Sequence, residues 1–482
     1  MQFHSPTISS KKISLYLVFF FFIALTFFSR EIPFFWDECY YIPTAHHIFD
    51  SNFSSIIPPV NVDRGSFPFY GFYMALWWKI FGKSLAVSHA AILPLLIGIA
   101  WEYYRLAKTF LSEKWIPFAL LLLVLEPTFI TQSILMGHDL FLVYFFLLSV
   151  NALLAGKKII YVCSLCLLAL HNIKGIPAAF SVCLFYFFYT HFVIHKKIKT
   201  SDWFIHLLPV ALSAAWMGYH HGITGWYLLT PVKDYGDTLH FDLHGLKRIV
   251  LEIWQVIDFG RVFLWCFIFC ALLFYRKKLL SEYFKTLFLL LFVPLAVSLI
   301  FFSMLDINLC HRYNMVSFLI ATIFTVYLLA MIQKKMLKYF LASVFCIGLI
   351  TGNFWMYGGG FSNGWDSSLK VLPYFKLINE MRDYTKTEKI NPSDVGTKFP
   401  LYHDIKYSDL SSENFHFRDI ETAPFDEFPY ILLSNVSNQF AVHEKEIVRN
   451  EWKLQKEFHS GLVYLKLFKN RKEIQPINAK RN

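Results

Sequence analysis

The chain has 482 residues, 56% of them hydrophobic and only 16% charged, with 53 Phe, 26 Tyr and 13 Trp. A soluble globular domain carries about 25% charged residues, so this composition excludes one, along with disordered, collagen-like and disulfide-stapled chains. The net charge is +11, yet residues 357–482 hold 18 Lys/Arg against 17 Asp/Glu. The surplus lies in residues 1–356, in short basic loops between apolar runs, and a nucleic-acid partner would want a basic face on a soluble domain instead.

Lys11 and Lys12 precede an apolar run over 13–28. Arg30-Glu31-Ile32-Pro33 follows, with no small-residue cleavage site, so the run reads as a first span leaving the cytoplasm. Further apolar runs lie near 84–104, 115–136, 140–156, 159–172, 175–194, 203–218, 259–275, 284–304, 314–333 and 338–356. Roughly 20 apolar residues cross a bilayer, and these runs predict about eleven spans. Basic clusters at Arg105/Lys108/Lys114, Lys157/Lys158, Lys196/Lys197/Lys199, Arg276/Lys277/Lys278 and Lys334/Lys335/Lys338 then face the cytoplasm with the N-terminus.

Residues 67–81 form an apolar run too short for a span, carrying Tyr70, Tyr73, Trp77 and Trp78. A juxtamembrane helix with interfacial aromatic side chains is expected there. The outward segments become 30–83, turns near 137–139 and 172–174, loops 219–256 and 304–313, and the tail. Gly358-Gly359-Gly360 opens the tail, with β-like runs at Tyr430–Leu433 and Leu462–Leu467 and a helical pattern over Leu372–Tyr384. The expected fold is mainly α: a polytopic membrane helical bundle over 1–356, with juxtamembrane helices, and a small extracytoplasmic α/β domain over 357–482.

Candidate chemistry gathers on the outward side. Asp37-Glu38 follows the first span between aromatic residues, and the same loop holds His46, His47, Asp63 and Arg64. Met136-Gly137-His138-Asp139 opens another span from that side. A lone acid there is ordinarily a helix cap or a solvated loop residue. Acids from separate outer loops can instead meet over the bundle to activate a hydroxyl or hold a divalent cation. Arg312, in Asp306-x4-His311-Arg312-Tyr313, and Lys174, in His171-Asn172-Ile173-Lys174, sit at span ends, and Arg64 adds a third cation. By default these are interfacial anchors; they are equally suited to the phosphate of a lipid carrier. Glu126-Pro127, inside an apolar run, is set near a bend, and His220-His221 with Asp234, Asp237, His240, Asp242 and His244 reads as a polar loop without zinc spacing. Cys39 and Cys310 lie in outward loops, where they can pair. No Walker loop, serine elbow or dinucleotide fingerprint occurs.

The acidic pair after the first span, the aromatic run ending Phe81-Gly82-Lys83-Ser84, the Asp opening a later span and the Arg312-Tyr313 pair resemble the GT-C membrane glycosyltransferases. The likeness is to the family 39 branch of protein O-mannosyltransferases and aminoarabinose transferases. Where that family often has His-Pro-Pro, this chain has Ser66-Phe67-Pro68, which leaves the subfamily open. The resemblance implies a sugar donor on a polyprenyl phosphate at the outer face, with transfer to a hydroxyl of a lipid, glycan or protein and inversion at C1. Asp37 would be the general base, supported by Glu38, with Asp139 toward acceptor or metal. Arg312, then Lys174 and Arg64, would meet the leaving phosphate, and Tyr40, His138 and Tyr313 would line the substrate. A divalent cation is left open, and a bacterial inner membrane is the expected location. A lipid or polysaccharide flippase is the rival, but such proteins usually show repeats or Gly/Pro-broken helices at matching places in two halves, and none is evident.

Overall fold

The computed structural model describes residues 10–227, 243–274, 281–304, 309–358, 362–437, 440 and 442–471. In chain order its first fifteen α-helices are α1 (Ser10–Ser29), α2 (Glu38–Asp50), α3 (Phe69–Phe81), α4 (Leu85–Phe110), α5 (Ile116–Leu125), α6 (Pro127–Ile134), α7 (Asp139–Leu154) and α8 (Lys158–His171), then α9 (Gly175–Phe188), α10 (Thr200–Thr224), α11 (Leu243–Ile257), α12 (Arg261–Phe274), α13 (Glu282–Met304), α14 (Met315–Met331) and α15 (Lys335–Gly352). Among the described residues six helical segments are long and apolar enough to cross a membrane, or up to eight if each sharply bent pair is one span. Helices α7, α8 and α10 occupy the remaining apolar runs of the sequence. The chain is an integral membrane protein with a helical bundle, as its composition predicts.

Two bends shape the bundle. At the first, Glu126 ends α5 and its carboxylate accepts the Phe129 N–H at 2.5 Å, while Pro127, lacking an N–H, opens α6 at 59° to α5. At the second, α11 meets α12 at 100° across Asp258-Phe259-Gly260. Gly260 has φ +78°, and a Cβ there would lie 1.8 Å from the Gly348 carbonyl oxygen on α15. Only glycine permits both the backbone and the approach. Helix α11 forms where the sequence predicts the loop 219–256. Its spacing of Leu246, Val250, Ile253 and Trp254 is helical, and these side chains stand exposed on one face. Asp234, Asp237, His240, Asp242, Asp306 and the Arg276/Lys277/Lys278 cluster lie outside the described residues.

The segment 30–83 carries two packed helices, α2 and α3, rather than one. The interfacial role expected for Tyr70 and Trp78 is corrected: both are buried. Their polar atoms find partners inside the protein, Tyr70 Oη donating to the Met136 carbonyl at 2.9 Å and Trp78 Nε1 to Ser88 Oγ at 2.8 Å. These bonds pin α3 to α4 and to the turn that precedes α7.

Beyond α15 the chain forms α16 (Leu372–Thr387), β1 (Val395–Thr397), α17 (Ile405–Ser408), β2 (Arg418–Asp419), β3 (Tyr430–Ser434), α18 (Val442–Glu451), β4 (Trp452–Ser460) and β5 (Val463–Asn470). The five-stranded sheet has order β2-β1-β3-β5-β4, with β1 parallel to β2 and β3 and the other pairs antiparallel. Helix α16 buries Leu377, Ile378 and Met381 with Val395, Leu432, Leu465 and Leu467. That core continues into the bundle through Phe35, Ile134, Leu135 and Trp365. Phe35 packs edge-on against Phe375 with 5.4 Å between ring centres. The sheet therefore sits on the end of the bundle where the candidate acids emerge.

Candidate active site

Asp37 follows the buried pair Phe34-Phe35 and occupies the N-cap of α2. Trp36, just before it, has φ +59°; Met136, before the Gly137-His138-Asp139 turn, has φ +58°. Left-handed backbone at a non-glycine residue costs on the order of 1–3 kcal/mol and persists where surrounding packing enforces it. Here both kinks turn an acid inward.

The acids meet at Arg312, in a single turn (His311–Asn314) that leads into α14. Its guanidinium is fully buried, and each of its nitrogens faces a different carboxylate. Nη2 donates to Asp37 Oδ2, Nη1 donates to Asp366 Oδ2, and Nε lies 3.1 Å from Asp139 Oδ2. Lys174 Nζ donates to Asp139 Oδ2 at 2.7 Å and lies 4.7 Å from the centre of the Tyr313 ring. Three carboxylates thus face two cations. Burial works to raise the Asp37 carboxyl, but the charges of Arg312, Lys174 and His138 outweigh it and hold it below its ordinary value.

Glu38 is buried one residue on and serves a different partner. Its Oε1 accepts from the His138 backbone N–H at 3.2 Å and pairs with His138 Nδ1 at 3.0 Å. The His138 ring lies against Tyr41 at 4.1 Å, and its carbonyl accepts from His171 Nε2 at 2.9 Å. Glu38 therefore sets the turn from which Asp139 projects.

His138 and Asp139 face different cavities. The first is lined by Tyr41, Asp63, Arg64, Tyr70, His138 and Trp216, among others. The second is headed by Asp139, Lys174, Arg312 and Tyr313 and walled by apolar side chains that include Leu142, Val143, Phe146, Pro177, Pro294 and Val316. The structure thus brings Asp37, Asp139, Lys174, Arg312 and Tyr313 together and sets Arg64 apart from them. The Arg64 guanidinium lies 4.4 Å from the Tyr40 ring centre, and Tyr40 stacks on Phe399 of the C-terminal unit at 5.1 Å. His220, read from the sequence as part of a polar loop, is buried and pairs with Asp63 of the first cavity at 2.7 Å.

Two participants escape sequence reading. Asp366 lies beyond α15, among Gly, Ser and Trp residues that carry no motif. It is buried, its carbonyl accepts from Gln132 Nε2 at 2.8 Å, and its Oδ1 accepts from Ser367 Oγ at 3.0 Å. The second is a closed network at the α11–α12 corner. Asp258 pairs with His311 Nε2 at 2.7 Å and accepts from Tyr357 Oη, while His311 stacks on Phe259 at 4.4 Å. Arg261 pairs with Glu126 at 2.5 Å and donates to Thr128 Oγ1 at 3.0 Å, which gives the intramembrane acid of the sequence a structural partner. Lys370 lies 4.7 Å from the Phe259 ring centre and donates to the Trp355 carbonyl at 2.7 Å; burial pushes its ammonium down to about 7, against the pull of Asp258 and Asp366.

Among the described residues no group of three or more His, Cys, Asp and Glu side chains is arranged to hold a metal ion. Cys39 and Cys310 are free thiols.

No protein family and no curated protein sequence matches the chain. Two solved structures do. The crystal structure of ArnT from Cupriavidus metallidurans bound to undecaprenyl phosphate aligns with a TM-score of 0.53 at 11% identity, over 94% of this chain and 97% of that one. The apo structure of the same protein aligns at 0.52 and 11%, over 95% and 98%. At such identity the likeness establishes the fold, which is similar to that of ArnT through the bundle and the C-terminal sheet, and it agrees with the GT-C resemblance read from the sequence.

Proposed function

We propose that the chain is an integral-membrane glycosyltransferase. It moves a sugar from a polyprenyl phosphate to an acceptor hydroxyl of a lipid, glycan or protein at the extracytoplasmic face, inverting C1. The carrying observation is the second cavity: two buried cations at the head of an apolar cleft. That chemistry suits a lipid whose one charge is at its end. The overall likeness to a protein crystallised with undecaprenyl phosphate supports the same reading.

In this mechanism Arg312 and Lys174 neutralise the phosphate as the bond from its oxygen to C1 breaks, and Asp37 takes the proton of the attacking hydroxyl. Fixed cations placed where negative charge develops commonly lower a barrier by about 3–4 kcal/mol each. Tyr313, beside both cations, packs against the phosphate end. The first cavity, with Tyr41, Asp63 and Arg64, offers hydrogen-bonding groups to a polar acceptor, and Tyr40 supports Arg64 there. Glu38 and His138 position the Asp139 turn. The basic clusters between the spans set the N-terminus in the cytoplasm and residues 357–482 outside, with a bacterial inner membrane as the setting.

The test is twofold. Glycolipids and glycans are compared by mass spectrometry with and without the gene, and the purified chain in nanodiscs is given polyprenyl-phosphate sugars. An accumulating lipid-linked sugar in the deletion, and its consumption by the wild type but not by Asp37→Asn, is the expected result. Transport of the lipid across the bilayer without any cleavage of the sugar–phosphate bond would replace this reading with a flippase.

A further inference from the structure

We infer that Arg312 is exchanged between Asp37 and the donor phosphate, and that Asp366 is the positioning residue that holds the guanidinium through the exchange. The inference deepens the glycosyl-transfer reading and rests on it.

Arg312 and Lys174 face Asp37, Asp139 and Asp366, so the cluster behind the head of the apolar cavity already carries more negative than positive charge. A phosphate arriving there is stabilised only if one carboxylate yields its share of the guanidinium. The three acids are unequally placed to do so. Asp139 is 3% exposed and also bound by Lys174; Asp366 is 4% exposed and fixed through both its backbone and Ser367. Asp37 is 27% exposed, and Arg312 is its one side-chain hydrogen-bond partner among the described residues. Asp37 is therefore the acid that lets go most readily.

Its release has a chemical result. While paired, Asp37 is a weak base, because Arg312 favours its ionised form. Once the guanidinium turns to the phosphate, the carboxylate binds a proton more strongly, as a general base must. The base would be switched on by the donor, and an acceptor bound alone would meet an inactive Asp37. Asp366 matters because Arg312, losing one of three anchors, needs the other two to stay aligned.

The experiment uses the full chain in nanodiscs, with undecaprenyl phosphate for binding and a polyprenyl-phosphate sugar for turnover. Asp366→Asn is expected to bind undecaprenyl phosphate as well as wild type or several-fold more tightly, since one repelling charge is gone. Its kcat should fall about a hundredfold from misalignment, and Asp366→Glu should recover part of that loss. Carbodiimide labelling of Asp37, followed by mass spectrometry, should quicken several-fold when undecaprenyl phosphate is added to the wild type. An unchanged kcat in Asp366→Asn would overturn the inference. So would binding, turnover and thermal stability declining together with no recovery in Asp366→Glu, or Asp37 labelling that is equal or slower with the lipid. A wild type that neither binds the lipid nor cleaves the donor would instead remove the glycosyl-transfer reading itself.

Discussion

Two buried charge clusters lie side by side in this protein, and they are built on opposite principles. At the α11–α12 corner each charge has a partner of its own: Arg261 with Glu126, and Asp258 with His311 and Tyr357. Glycine contacts with α15 close the backbone around it. At Arg312 the carboxylates outnumber the cations, one acid is partly exposed, and the cations head a cavity. A balanced, closed cluster holds the fold. An unbalanced one beside an opening is arranged to receive something charged. The clusters touch through consecutive residues, His311 serving the first and Arg312 the second, so the corner sets where the guanidinium stands.

The two clusters should differ most at Asp37. Asp37→Asn should cut transfer by roughly 10²–10⁴-fold, the usual worth of a general base, with thermal unfolding in detergent unchanged. Activity near wild type would take Asp37 out of the chemistry. Arg312→Ala should lower kcat/KM for the lipid donor by about 10²–10³-fold. An equal loss for all steps, with donor affinity intact, would deny Arg312 its phosphate. On the corner side, Arg261→Met leaves Glu126 buried without its cation. The expected cost is roughly 3–5 kcal/mol, read as a lowered unfolding temperature, while molecules that remain folded keep their turnover. Loss of turnover at unchanged stability would erase the contrast between the clusters.

The smallest effect concerns Lys370. Its folded ammonium is held near 7, well below the ordinary 10.5 it regains on unfolding. Between those values the unfolded chain binds the extra proton, so this residue makes stability rise with pH through that window and contributes no slope below it. Lys370→Met should flatten the rise by up to about 1.4 kcal/mol per pH unit, seen in unfolding temperatures taken from pH 7 to 9. Parallel curves for the two proteins would mean that the ammonium is not forced to discharge.

Much of this architecture is legible in the residues. The apolar runs, with basic residues at alternate ends, become helices, and Tyr430–Leu433 lies within β3. Asp37, Asp139, Lys174 and Arg312 are readable as a group because each stands at the same end of an apolar run. What sequence cannot supply is the angle around the bundle. It groups Arg64 with the other two cations, whereas Arg64 lines a different cavity from them. It also cannot reveal Asp366, whose pairing with Arg312 depends on how a segment outside the bundle folds back. Burial of Tyr70 and Trp78 was hidden for a related reason: an amphipathic aromatic side chain looks alike whether its polar atom meets water or a neighbouring helix. Helix α11 did carry a signal, in the spacing of its apolar residues.

The seating of Trp365–Ser368 inside the bundle bears on any attempt to build a chimaera. A graft that exchanged the C-terminal unit at the glycine run would carry away a ligand of Arg312 and the backbone clasp at Gln132. The splice belongs downstream of Ser368, ahead of α16, so that the host keeps its own anchor and the borrowed part contributes only its face toward the acceptor.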